Sequence, residues 1–227
     1  MIDYRILVQA RMSSSRLPGK ALTDLAGRPL IDHVLSRVSE VAGPALVVLV
    51  TSNDASDNIL EEHVIGQHGI AVFRGALENV FLRYQDCLRH FPCEWFVRIG
   101  GDSPFIDPEL IALMLASRTE DTHLVSNVVE RSFPPGQSVE VVRTSIFQAL
   151  STDHLNSDEL EHVTSYYYRH PKRFRIRSVT AQETSLSQRR LVVDTLEDLD
   201  AADLIIRESP DLTRGYAAKA VVAFPTL

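Results

Sequence analysis

Apolar positions along the first hundred residues follow two rhythms. Arg5–Ala10 (RILVQA) and Ala45–Thr51 (ALVVLVT) are short apolar runs, and the second is β-branched without alternation. A strand buried on both faces has that pattern. Ile70–Phe73 and Trp95–Ile99 give two further predicted strands. Between the first two, Leu30, Ile31, Val34, Leu35, Val38 and Val41 share one face at helical spacing. Ser56–His68 reads as a helix ended by Gly69, and Glu78–His90 as a helix carrying Val80, Phe81, Tyr84 and Leu88. After the fourth strand come the turn GGDSP and a helix opening at Asp107–Pro108, an N-cap followed by proline at the first helical position.

The rhythm changes past residue 120. Leu124–Val129, Val139–Val142, Phe174–Val179 and Leu191–Val193 are predicted strands, and Asp158–Arg169 a predicted helix. The last helix begins at Thr195, where Asp198 three residues on makes an approximate capping box. Strand–helix alternation implies right-handed crossovers and a mostly parallel sheet covered on both faces. Ligands of such sheets bind beyond the carboxyl ends of the strands. The loops after the first, fourth and last strands are therefore the ones to search. Asp102 and Asp194 each follow a predicted strand and should both stand at that edge.

At 227 residues the chain buries roughly 70% of its unfolded surface, enough for a core without disulfide or metal staples. A 44% hydrophobic and 23% charged composition argues against long disorder. The net charge of −7 argues against broad nucleic-acid binding. Two cysteines do not make a secreted disulfide framework. The opening MIDYRILVQARMSSS has an apolar heart too short for a signal peptide, and Ala45–Val50 is far below a membrane span. A cytoplasmic protein that engages no membrane is expected.

Charge is unevenly placed. Between Arg5 and Leu30 stand five cations (Arg5, Arg11, Arg16, Lys20, Arg28) against one acid, Asp24. A polar, cationic loop at a strand's carboxyl end suits a polyanion, because hydroxyls and backbone N–H groups cradle phosphate oxygens while Lys and Arg neutralise them. The same charges also read as a solvated basic loop. The loop has neither G-x-x-x-x-G-K-[ST], since Ala21 follows Lys20, nor G-x-G-x-x-G. Cys87, His90 and Cys93 lack a fourth metal ligand and read as buried thiols near the fourth strand.

The string QARMSSSRLPGKALTDLAGRPLIDHVLSRV resembles the opening of the CMP-sugar synthetase-like cytidylyltransferases, closest to the branch of acylneuraminate cytidylyltransferases and spore-coat polysaccharide biosynthesis protein F. Four later blocks resemble the same family in order: VRIGGDSPFIDPELI, RSFPPGQSVEVV, ELEHVTSYYYRHP and RLVVDTLEDLDAADLI. Together they span nearly the whole chain. The sequence departs from the family at Ser138, where many relatives carry Asp, and at Ser165, where many carry Pro.

The resemblance implies a three-layer, Rossmann-like nucleotide-diphospho-sugar transferase fold over residues 1–227, with a smaller sugar-side and dimerisation lobe at about 133–179. It implies transfer of CMP from CTP to a nonulosonic or octulosonic sugar acid with release of pyrophosphate, for a cell-surface polysaccharide, by a homodimer. Asp102 and Asp194 are the implied Mg²⁺ pair, and with Arg11 and Lys20 the implied catalytic set. Ala10, Ser13, Ser14, Ser15, Arg16, Arg74, Gly75, Gly100 and Gly101 join Arg11 and Lys20 as nucleotide-binding candidates. Asn127, Arg131, Glu140 and His162 are candidates for the sugar. Two other readings stay open: a sugar-1-phosphate nucleotidyltransferase or nucleotide-sugar-dependent glycosyltransferase, and a non-catalytic nucleotide-binding subunit. The absent G-x-G-x-R loop counts against the first nucleotidyltransferase, and the joint presence of Lys20, Asp102 and Asp194 against the subunit.

Overall fold

One sheet with two apolar faces organises the chain. The structure, a computed structural model, describes residues 2–222, so residue 1 and residues 223–227 of the unit expected over 1–227 lie outside it. In chain order the elements are β1 (Tyr4–Gln9), β2 (Asp24–Leu25), β3 (Arg28–Pro29), α1 (Leu30–Ala42), β4 (Val47–Ser52), α2 (Asn58–His68), β5 (Ala71–Gly75), α3 (Val80–His90), β6 (Trp95–Gly100) and α4 (Pro108–Ala116). Then follow β7 (Leu124–Ser126), β8 (Glu140–Arg143), α5 (Thr144–Gln148), α6 (Ser157–Glu161), α7 (Ser165–Arg169), β9 (Ile176–Ala181), α8 (Leu196–Glu208) and β10 (Ala220–Val222).

The eight-stranded sheet runs β10-β9-β7-β8-β6-β1-β4-β5. Its β6-β1-β4-β5 half is entirely parallel, with Ile6 opposite Val47 and Leu7 opposite Val48. Because side chains alternate across a strand, Ile6, Val8, Val47 and Leu49 enter one core with α1 and α4, while Leu7, Val48 and Val50 enter another with α3 and Phe147. That two-sided burial explains why these strands are apolar without alternation, and it bears out the α/β fold with a mostly parallel sheet.

The other half of the sheet corrects several sequence expectations. Leu191–Val193 is not a strand. It runs across the strand ends, held by Leu191 N–H to the Pro135 carbonyl (2.8 Å) and Val193 N–H to the Asp102 carbonyl (2.9 Å). The strand expected over Leu124–Val129 stops at Ser126, because the buried Asn127 side chain takes over the backbone pairing. β8 starts at Glu140 and inserts antiparallel between β6 and β7. The helix expected over Asp158–Arg169 is split into α6 and α7, His162 standing between them in a non-helical conformation. The break turns the Thr164 and Tyr168 hydroxyls onto the Glu140 carboxylate. The segment 133–179 thus adds β8 and part of β9 to the central sheet and lays α5, α6 and α7 beside it. Among the described residues no helix is long and apolar enough to cross a membrane.

Candidate active site

The loop after β1 is tied down at both ends. Met12 N–H donates to Asp57 Oδ1 (2.7 Å), and Gly19 N–H returns to the Met12 carbonyl (2.8 Å). Gly19 has φ 77°, the left-handed region that favours glycine, and it opens the short turn carrying Lys20. Asp57 is fully buried and also accepts from Thr51 Oγ1 (2.8 Å), Ser52 N–H (3.0 Å) and Ser52 Oγ (2.5 Å). Burial alone would raise its carboxyl, but the Met12, Ser52 and Thr51 donors outweigh burial and hold it below the ordinary value.

Opposite that loop, the ends of β1 and β6 approach closely. A Cβ on Gly101 would stand 2.7 Å from Ala10 Cβ and 2.9 Å from the Gln9 carbonyl. Glycine there serves the backbone contact, in which Gly101 N–H donates to the Gln9 carbonyl (2.8 Å). On Gly100 the added atom would meet the carboxylate of Asp102 itself at 2.6 Å. The turn thus delivers Asp102 to the sheet edge, and the 191–193 crossing delivers Asp194 to the same place. Lys20 Nζ sits between them, 3.3 Å from Asp102 Oδ2 and 3.1 Å from Asp194 Oδ1. Arg16 and Arg190 each stand 3.1 Å from Asp194, and Arg190 also bonds Asp198. Arg11 faces Glu161 at 3.7 Å.

A cavity of about 250 Å³ joins Ala10, Arg11, Ser14, Ser15, Arg16, Lys20 and Gly101 with both aspartates. A second, of about 420 Å³, shares Gln9, Asp102 and Asp194 and continues past Gly100 to Arg131, Ser138 and Glu140. A third extends over Arg98 and His162 to Tyr168. This end is built differently. Glu140 is 3% exposed and pairs with Arg98 at 2.7 Å, while Thr164 Oγ1 (2.6 Å) and Tyr168 OH donate to its other oxygen. Burial pushes the Arg98 guanidinium down, but the Glu140 carboxylate prevails and raises it above its ordinary value. Burial and the same carboxylate push the Tyr168 phenol well up. Arg131 carries no ion pair or side-chain hydrogen bond among the described residues, so its charge is uncommitted.

Four candidates are not brought into this groove. Arg74 binds Ser52 and Asp54 carbonyls, Asn58 and Glu61, fastening β5 to the start of α2. Gly75 makes room for the buried Arg83, whose Cγ would lie 2.7 Å from an added Cβ. Asn127 spends its amide on the Gln137 carbonyl and Val139 N–H. Ser13 does not line the cavity that Ser14 and Ser15 line. Conversely, Gln9, Arg98, Glu161 and Arg190 were not anticipated. The signal for Gln9 and Arg98 was present: each is a polar residue inside an otherwise apolar strand, RILVQ and WFVRIG. Cys87 and Cys93 are free buried thiols, and burial pushes Cys87 up to about 12.

A parallel α/β sheet with a polar groove across its strand ends, walled by the loop after β1, is the architecture of the Rossmann-like nucleotidyltransferases. The chain belongs to the cytidylyltransferase family, whose sequence model matches residues 5–214. It is 33% identical over 222 residues to spore coat polysaccharide biosynthesis protein SpsF of Bacillus subtilis, covering 94% of this chain and 91% of that one. Among solved structures, a cytidylyltransferase from Leptospira borgpetersenii matches with TM-score 0.82 at 24% identity, over 94% of this chain and 97% of that one. CMP:2-keto-3-deoxy-manno-octonic acid synthetase complexed with CTP matches with TM-score 0.65 at 19% identity, over 91% and 99%.

Proposed function

We propose that this enzyme transfers the cytidylyl group of CTP to a nonulosonic or octulosonic sugar acid and releases pyrophosphate, activating the sugar for a cell-surface polysaccharide. One observation carries the reading: Lys20, Asp102 and Asp194 converge at one end of a groove whose other end offers the uncommitted Arg131 beside the Arg98–Glu140 pair. The match to a synthetase complexed with CTP supports the nucleotide, and its octonic acid supports the substrate class.

In this reading a sugar hydroxyl oxygen attacks the α-phosphorus of CTP and releases its proton to water, the bond from α-phosphorus to the bridging oxygen breaks, and pyrophosphate leaves. Lys20, Arg11 and Arg16 bind the triphosphate and oppose the charge that grows on the departing group. Ser14 and Ser15 donate hydroxyls at the same end. Arg131 pairs with the sugar carboxylate, and Glu140, held rigid by Arg98, Thr164 and Tyr168, receives sugar hydroxyls. Asp102 and Asp194 are hard oxygen donors and would hold Mg²⁺ at this end of the groove. Such an ion supplies charge neutralisation on the phosphates. We extend the reading to a cytoplasmic location and to a homodimer, whose mass light scattering on the purified protein measures.

The decisive experiment is a pyrophosphate-release screen of four nucleoside triphosphates against sugar acids and sugar phosphates. Release with CTP only when a sugar acid is present is the expected result. Release driven by sugar phosphates instead, or none with any pair, overturns the proposal.

A further inference from the structure

Asp32, His63 and His68 meet on the side of the molecule where α1 faces α2. Asp32 lies in the first turn of α1, and the two histidines are on α2, 31 and 36 residues away in sequence. His63 Nε2 is 2.7 Å and His68 Nε2 2.8 Å from the same oxygen, Asp32 Oδ1. All three ligand atoms lie within 4.8 Å of one another. The imidazoles stand edge to face, ring centroids 6.1 Å apart. They therefore converge on one point rather than stack. The side chains are 14–21% exposed, sheltered yet open to an ion arriving from water.

We infer that these three residues form a binding site for a first-row transition-metal dication that clamps α1 to α2. Two imidazole nitrogens and one carboxylate oxygen suit zinc or its neighbours, whereas magnesium prefers an all-oxygen shell. Bonds near 2.0–2.1 Å in a tetrahedral set put ligand atoms roughly 3.3 Å apart. The Asp32–His63 and Asp32–His68 separations thus need open only slightly to admit an ion, with water completing its shell.

The clamp has something to hold. α2 buries only Leu60 and Val64, while Ile59 and Ile65 are exposed, so its apolar seam is thin. On α1, Ile31, the neighbour of Asp32, lies under the strand-end turn, its Cδ1 3.2 Å from where a Gly101 Cβ would stand. Fixing the start of α1 therefore fixes the floor of that turn.

The test uses the full chain stripped of metal by chelator and then dialysed. Zn²⁺ at a hundredfold excess over its Kd should raise Tm by roughly 5–10 °C, and titration calorimetry should count one site. Co²⁺ should give the visible bands of a site with nitrogen ligands. Mg²⁺ should do neither. His68→Gln and Asp32→Asn, each first shown to be folded by circular dichroism, should lose the Zn²⁺-dependent shift and the Co²⁺ bands. A Tm unmoved by Zn²⁺, or a shift and spectrum that survive in both variants, overturns the inference. Neither readout depends on turnover, so it stands or falls apart from the proposed reaction.

Discussion

The two ends of the groove handle charge in opposite ways. At the loop end, cations and carboxylates are loosely paired and partly wet: Asp102 is 35% exposed, Arg16 63%. The pairs made by the exposed Arg16 and Arg190 can be exchanged for a ligand's phosphates at little cost, since exposed ion pairs contribute about 0–1 kcal/mol. At the far end Glu140 is buried and satisfied by Arg98, Thr164 and Tyr168 together, so the network is fixed before any ligand arrives. The loop end is made to rearrange around a highly charged partner. The far end is made to present one shape.

The sharpest way to break this contrast is at the aspartates. Asp102→Asn and Asp194→Asn should each cost roughly 10²–10⁴-fold in turnover with Tm nearly unchanged, and the double variant should lose little more than the worse single one. Additive losses in a Mg²⁺ titration of pyrophosphate release would mean that the two do not act as a unit. Next in size is Glu140→Ala, which removes at once the buried acceptor shared by Arg98, Thr164 and Tyr168. It should destabilise by about 3–5 kcal/mol in urea unfolding. A cost as small as that of a surface pair would erase the difference between the two ends.

Lys20→Ala should weaken CTP use by about 2–4 kcal/mol of transition-state stabilisation, read as kcat/KM. Full activity would remove the loop from the mechanism. The smallest effect concerns the anchor of that loop. The native Asp57 carboxyl is held below its unfolded value of about 3.9. Its stabilisation is therefore complete above that value and is lost as pH falls through the lower native one. Asp57→Asn should remove about 1–3 kcal/mol at pH 7 and flatten the acid limb of the stability profile. An acid limb identical to that of the parent would assign the anchoring elsewhere.

The sequence made the loop end legible because its chemistry is local: Arg11, Ser14, Ser15, Arg16 and Lys20 fall within ten residues, after an apolar strand. β1, β4 and β6 were legible for a related reason, since burial on both faces writes itself into every position of a strand. The far end was only half visible. Arg98, Glu140, Thr164 and Tyr168 come from three segments, and nothing short in range announces that an antiparallel strand will bring them together. Arg74 and Gly75 stood at a strand's carboxyl end, yet their partners are α2 and Arg83, contacts that only the packing defines. Asp194 was anticipated at the right edge by way of a strand that does not exist. In place of a ladder, two hydrogen bonds to Pro135 and Asp102 bring it there.

That crossing at residues 191–193 has a consequence for how the molecule comes into being. Lys20 and Asp194 are separated by 174 residues, and Val193 is hydrogen-bonded to Asp102 itself. During synthesis the basic loop, β1 and β6 leave the ribosome long before the crossing does. Until residue 194 has emerged, Lys20 and Arg16 face a half-built edge with one of its two carboxylates missing. The nascent protein therefore carries a cationic loop whose second carboxylate arrives 174 residues after Lys20, and a fragment ending before residue 190 keeps most of the strands but lacks Asp194. Asp194 therefore reaches the edge only after every strand of the sheet's parallel half has been made.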